Sequence, residues 1–170
     1  MIENCDKCQR LCPSQHDNPQ KHPPAQSPMH SVAVDLFSSG GKDYLVMVDR
    51  YSNFIWVKLL QSTTTEAITN TLSSWFLDFG YPFTIISDNG PQFRADFKSF
   101  CANNHILHST SSPYNPHSNG LAESAVKSAK YLLQKSSNYK DFQIRLLSWQ
   151  NMPGANCTTS PSEKFFNRRQ

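Results

Sequence analysis

The sequence predicts an α/β fold: a mixed sheet of five strands, covered by helices on both sides. Three observations point there. SVAVDLF, YLVMVDR and FIWVKLL follow one another as short β-branched runs, separated only by turn residues. Two more short runs, FTIIS and HILHS, are each preceded by a segment of helical period, and the rest of the chain after residue 119 is helical in pattern. Successive strands read as an antiparallel meander, and the later alternation of strand and helix adds crossover units.

Each element has a local reason. SSGGKD is turn chemistry between the first two strands, and YSN separates the second from the third. In TTTE, Thr63 and Glu66 stand at capping-box spacing, and Ile68, Leu72, Trp75, Phe76 and Phe79 follow at helical intervals. Gly80 suits the position just past a helix end, with Pro82 beyond it. FTIIS runs into Asp88 and is stopped by Asn-Gly-Pro. Phe93, Phe97, Phe100 and Cys101 mark one face of a second helix, and HILHS is the fifth strand. SSPYNPHSN, residues 111–119, is too rich in proline and turn formers for regular structure. A third helix then carries Ala122, Ala125, Val126, Ala129, Leu132 and Leu133. A fourth, over roughly 139–150, carries Phe142, Ile144, Leu146, Leu147 and Trp149. SPSEKFF adds a last turn or two, with Ser160 or Ser162 as cap.

At 170 residues with 38% hydrophobic content, eleven Phe and three Trp, the chain supports one domain with a sizeable core. Sixteen Lys and Arg against thirteen Asp and Glu permit a nucleic-acid partner without arguing for one. No apolar run reaches the length of a membrane span, so no membrane partner is expected. Met1 is followed by Glu3, Asn4 and Asp6 and not by a basic segment and an apolar one, so no targeting signal is read and an intracellular setting is expected. QHDNPQKHPPAQSP holds four prolines and no periodicity, which makes residues 13–29 a linker.

Three acids stand in informative places. Strand alternation puts Val32, Val34 and Leu36 on one face and Ala33, Asp35 and Phe37 on the other. A carboxylate in a covered strand is a metal ligand, is paired, or faces solvent near the strand end. Asp88 ends a strand, where ligands collect in α/β sheets, yet an Asx turn is an equally ordinary use of it. Glu123 sits in the first turn of the third helix, where it suits the helix dipole or a capping box with Gly120 as N-cap. It also forms a narrow stripe with Lys127, Lys130 and Gln134. Glu with Lys four residues on is a common surface pair, and two lysines beside an acid equally suit a phosphate backbone lying over bound metal. Three carboxylates without compensating cations are the donor set that Mg2+ or Mn2+ prefers.

VAVDLF, VMVDRYSNFIWV, TIISDNGPQF, HSTSSPYNPHSNGLAES and RLLSWQNMPGANCTTSPSEKFF, in that order, resemble the catalytic core of retroviral and long-terminal-repeat retrotransposon integrases, the gypsy-like group in particular. The resemblance covers residues 30–166 and leaves 167–170 as a tail. It implies a ribonuclease-H-like fold and a catalytic triad of Asp35, Asp88 and Glu123, which holds two Mg2+ or Mn2+ ions when DNA is bound. The implied chemistry is 3′-end processing of element DNA followed by strand transfer into target DNA. Homo-oligomers are the implied working form and the nucleus the expected place of action. Lys127, Lys130, Tyr114, Asn115, His117 and Asn119 fall where DNA is contacted in the family, and Asp49 is read as structural. Thirty-four residues separate Asp88 from Glu123, one fewer than the family's usual spacing, and the difference falls in FRADF. Asn115 and His117 replace the more usual His and Gln.

Residues 1–12 resemble the end of the family's His-His-Cys-Cys zinc domain, with Cys5 and Cys8 as its two Cys ligands. Zinc needs four ligands and the two His belong upstream, which leaves an orphaned Zn2+ half-site as the favoured reading, with a compact substitute site completed by Cys12 and His16 as the alternative. The alternative to an active core fragment is a domesticated or decayed module that binds nucleic acid without integrating it.

Overall fold

The computed structural model describes residues 24–110, 120–154 and 157–168. Cys5, Cys8, Cys12 and His16 lie outside these, as do Tyr114, Asn115, His117 and Asn119.

The first strand, β1, spans Ser31–Ser39 and turns back through Gly40–Gly41 into β2, Lys42–Asp49. Ser39 pairs with Lys42, so the loop is two residues long, and both glycines take positive φ, 58° and 71°. That is the primed turn whose twist matches antiparallel strands, and it explains the Gly-Gly pair. Strand β3, Ile55–Leu60, completes the meander. Helix α1, Thr65–Phe79, then crosses to β4, Thr84–Ser87, which runs parallel to β1. A 3-10 turn at Pro91–Phe93 and helix α2, Ala95–Asn103, lead to β5, Leu107–Thr110, parallel to β4. The sheet order is β3-β2-β1-β4-β5. Helices α3 (Gly120–Gln134), α4 (Tyr139–Gln150) and α5 (Pro161–Phe166) complete the described chain. The predicted mixed five-stranded sheet, of ribonuclease-H-like kind, is the one present.

The sheet is buried on both faces, so β2 is buried continuously from Tyr44 to Asp49. Val32, Val34, Leu45 and Met47 meet Ile68, Leu72 and Phe76 of α1 and Phe97 of α2. Phe54, Trp56 and Phe79 pack with Phe165 and Phe166 of α5 on that side, at ring spacings of 4.7–6.1 Å. On the other face, Ala33, Phe37, Val46 and Val48 meet Ala122, Ala125 and Ala129 of α3 and Phe142 and Leu146 of α4. Three alanines with almost no side-chain bulk let α3 lie close across β1 and β2.

The outer edge of β3 is sealed by α4. Gln150 Nε2 donates to the Ile55 carbonyl at 2.8 Å. The Tyr139 hydroxyl donates to the Val57 carbonyl at 3.1 Å and accepts from the Leu59 N–H at 3.4 Å. Two side chains thus supply what a sixth strand would, on an edge otherwise open to pairing with other chains.

Local expectations needed correcting at three helix starts. Helix α1 is capped by Thr64, whose hydroxyl accepts from the Ala67 N–H at 3.3 Å. Thr63 and Glu66 do not form the capping box, because the helix begins one residue later than their spacing supposes. The second helix is split: Pro91 opens the 3-10 turn, and α2 starts only after Arg94. Gly120 is already helical, so it is not the N-cap and Glu123 is not at the third helical position. Of the two serines weighed for α5, Ser160 is the cap, in a reciprocal capping box with Glu163.

Candidate active site

The two aspartates reach one place through strand register. Ala33 on β1 is level with Ile86 on β4, and both pack toward α3. Two residues further along β1 comes Asp35, and Asp88 follows directly on Ser87, the last residue of β4. The charge of Asp88 is felt at Asp35, so the two carboxyl groups are neighbours. Strand β4 ends at Ser87 while β1 continues to Ser39. A notch opens beside β1 there, at the carboxyl end of β4, the position where open α/β sheets place ligands.

Asp35 is partly buried, and its Oδ1 accepts from the Leu36 N–H at 2.8 Å. Burial raises its pKa from an ordinary 3.8 to about 6, and the charges of Asp88 and Glu123 push the same way. The Leu36 N–H and Lys130 pull against that rise. Asp88 Oδ1 accepts from the Gly90 N–H at 3.0 Å, so the Asx turn weighed as its alternative use does form, and it orients the carboxyl group. The turn beyond is pinned: Arg94 donates through Nε and Nη2 to the Asn89 carbonyl at 3.3 Å each, Thr65 Oγ1 donates to the Gln92 carbonyl at 3.0 Å, and Phe93 is buried.

Glu123 is exposed on the first turn of α3, between Ala122, which is buried against the sheet, and exposed Ser124. Among the described residues it forms no ion pair, and the surface pair with Lys127 is not made, in contrast to Arg145, which pairs with Asp141. Lys127 is exposed. Lys130 is half-buried, with its Nζ 5.8 Å from the Phe37 ring centroid. It lines a cleft of about 550 Å3 with Leu36, Phe37, Ser38, Gln92 and Val126. Asp49, in contrast, is fully buried and accepts from the Met29 N–H at 2.9 Å, the Ser52 N–H at 2.8 Å and the Ser52 hydroxyl at 2.6 Å. It ties the segment before β1 to the β2–β3 turn, a structural role.

The donor set fits a hard divalent cation. Asp35 and Asp88 each commit one oxygen to a backbone N–H, while the second accepts no hydrogen bond among the described residues. The mutual repulsion recorded in the raised pKa of Asp35 is what a bound cation would relieve. Asp88 and Glu123 are each within electrostatic reach of Asp35, but the three are not drawn into a ligating cluster; among the described residues no three His, Cys, Asp or Glu side chains are. Sequence reasoning missed two neighbours of the site, Ser87 and His108, whose Oγ and Nε2 stand 2.8 Å apart.

Residues 26–116 match the family model of the integrase core domain. Over 178 aligned positions, 99% of this chain is 32% identical to an uncharacterized protein of Caenorhabditis elegans and spans 14% of it. The Gag-Pro-Pol polyprotein of Simian retrovirus SRV-2 is 30% identical over 79% of the chain, which spans 8% of that protein. That of Human T-cell leukemia virus 2 is 34% identical over 79% of the chain and 10% of its own length. The fold is shared with the simian T-cell lymphotropic virus intasome solved in complex with PP2A regulatory subunit B56 gamma, at a TM-score of 0.77 and 24% identity over 96% of this chain and 63% of that one. It is shared too with the catalytic core domain of BIV integrase, at a TM-score of 0.69 and 21% identity over 82% and 95% of the two chains.

Proposed function

Since the chain belongs to the integrase core domain family, we propose that it is the catalytic core of a divalent-metal-dependent polynucleotidyl transferase, with Asp35, Asp88 and Glu123 as the metal-holding carboxylates. The observation that supports this reading is that Asp35, on β1, feels the charges of both Asp88, just past the end of the parallel strand β4, and Glu123, on the first turn of α3. Its substrates are element ends, from which nucleotides are removed at the 3′ end, and target DNA, to which the freed 3′-hydroxyl is joined.

Bound Mg2+ or Mn2+ supplies activation of the attacking oxygen and charge stabilisation at the leaving oxygen. The chain's own residues prepare that site. The Leu36 N–H holds one oxygen of Asp35 and the Gly90 N–H one oxygen of Asp88, which leaves the other oxygen of each to accept a cation. Glu123 approaches from α3, a rigid element seated on alanines. Lys130, and Lys127 one turn before it on α3, place positive charge where a phosphate backbone lies over the carboxylates. Tyr114, Asn115, His117 and Asn119 extend the DNA contacts. The same reading assigns residues 30–166 to the core, residues 13–29 to a linker, and residues 1–12, with Cys5 and Cys8, to the closing segment of a His-His-Cys-Cys zinc domain. It gives the chain further copies of itself as partners and the nucleus as its place of action.

The test is reversal of strand transfer on branched DNA with Mn2+, run beside Glu123→Gln. Release of the joined strand by the chain and not by the variant is expected. A native chain that folds by circular dichroism, binds DNA and releases nothing would overturn the enzyme in favour of a DNA-binding module.

A further inference from the structure

Ser87, the last residue of β4, is fully buried. Its Oγ donates to the carbonyl of Asp88 at 2.9 Å and stands 2.8 Å from Nε2 of His108 on β5. His108 is level with Ile85, which packs on the α1–α2 face, and Ser87 is two residues further along that face. Serine and imidazole therefore reach the Asp88 peptide from the side of the sheet opposite α3. The other ring nitrogen, Nδ1, is buried with no partner among the described residues, and Phe97 packs edge-on against the ring at 4.9 Å.

The proton positions follow from counting. A serine hydroxyl has one proton. Given to the Asp88 carbonyl, it leaves Oγ an acceptor, so the imidazole donates from Nε2. The other tautomer would bury an N–H at Nδ1 with nothing to accept it, which costs more than a bare lone pair. Burial and the charge of Lys98 both lower the pKa of His108, in keeping with a neutral ring carrying one proton.

We propose that His108 is a positioning residue for the second carboxylate: the relay from His108 Nε2–H through the Ser87 hydroxyl to the Asp88 carbonyl fixes that peptide and so aims the Asp88 side chain. Asp88 is then held at two points, its Oδ1 by the Gly90 N–H and its carbonyl by the relay. His108 touches no reacting atom and acts through Asp88. Partners behind metal-holding residues commonly act this way.

The proposal rests on Asp88 being a metal-holding carboxylate, so the test separates the two. Nitrogen NMR of the metal-free chain reads the tautomer directly: a neutral ring protonated at Nε2 is expected, and protonation at Nδ1 overturns the relay whatever the chain catalyses. Mn2+ binding, read by electron paramagnetic resonance, is then compared across His108→Leu, His108→Gln and Ser87→Ala, each checked for folding by circular dichroism. Leu fills the space without a donor and Ser87→Ala deletes the hub; each is expected to weaken Mn2+ binding by about 10- to 100-fold. Gln restores an N–H toward Oγ and is expected to recover most of the loss. Affinity within twofold of wild type for Ser87→Ala, or Gln binding more weakly than Leu, overturns the proposal, since that order belongs to a residue that only fills space beside Phe97. A wild-type chain that has the Nε2 tautomer yet binds no Mn2+ overturns the metal-dependent reading, and the positioning role falls with it.

Discussion

The Lys130 ammonium stands 5.8 Å from the centre of the Phe37 ring, two residues along β1 from Asp35. An aromatic face attracts a cation through its ring quadrupole, so Phe37 sets the position of Lys130 without an ion pair. Replacing Lys130 with Ala is expected to weaken DNA binding across sequences and to lower the slope of log affinity against log salt by about one unit. Fluorescence anisotropy at several salt concentrations reads both, and an unchanged slope would count against a phosphate contact at Lys130.

Asp35 links the site to stability. Its folded pKa, about 6, lies above its ordinary 3.8, so the folded state holds the proton more tightly than the unfolded one. Its favourable contribution is fully present below 3.8 and is lost as pH rises through about 6. Asp35→Asn, which never ionises, is expected to stabilise the metal-free chain at pH 8 by about 1–2 kcal/mol once solvent screening is allowed for. The advantage should vanish near pH 4. Urea unfolding at the two pH values decides it, and a variant no more stable than wild type at pH 8 refutes the account.

Asp49 is the control for acid chemistry. Asn in its place keeps the shape but presents an amide NH2 where the carboxylate accepts hydrogen bonds, and is expected to cost roughly 2–4 kcal/mol. Binding of Mn2+ by the folded variant should be unchanged. Loss of metal affinity without loss of stability would contradict the structural role.

Tyr139→Phe tests the sealed edge. It leaves the Val57 carbonyl and the Leu59 N–H without their partner and is expected to cost about 1–2 kcal/mol. It should also promote association through β3. Light scattering and urea midpoints measure the two effects, and a variant as stable and as monodisperse as wild type would show the seal to be dispensable.

What the sequence disclosed follows the range of the interactions concerned. The Gly-Gly turn and helix α4 were legible because turn residues and a run of apolar side chains carry their own instructions. The face of Asp35 was legible from alternation alone. Cap position was not, because neighbouring threonines compete and the choice between Thr63 and Thr64 depends on where the chain leaves the sheet. Ile144 and Leu147 have the period of a buried face yet are exposed, since α4 seats itself on Phe142, Leu146 and Gln150. Ser87 and His108 stayed hidden because their meeting depends on the register between β4 and β5, strands twenty residues apart whose alignment no local pattern states. The alternation of Ile106 and His108 in HILHS was the available signal.

The alanine seat of α3 has a consequence for how variation in this chain should be interpreted. Ala122 and Ala129 are wholly enclosed, and the thickness of their methyl groups sets the height of the helix above the sheet. Glu123 rides at that height. A methylene added beneath the helix would lift the carboxylate away from Asp35 and Asp88 with every acidic group intact. Residues that carry no reactive atom thus act as the shim on which the geometry of three acids is levelled.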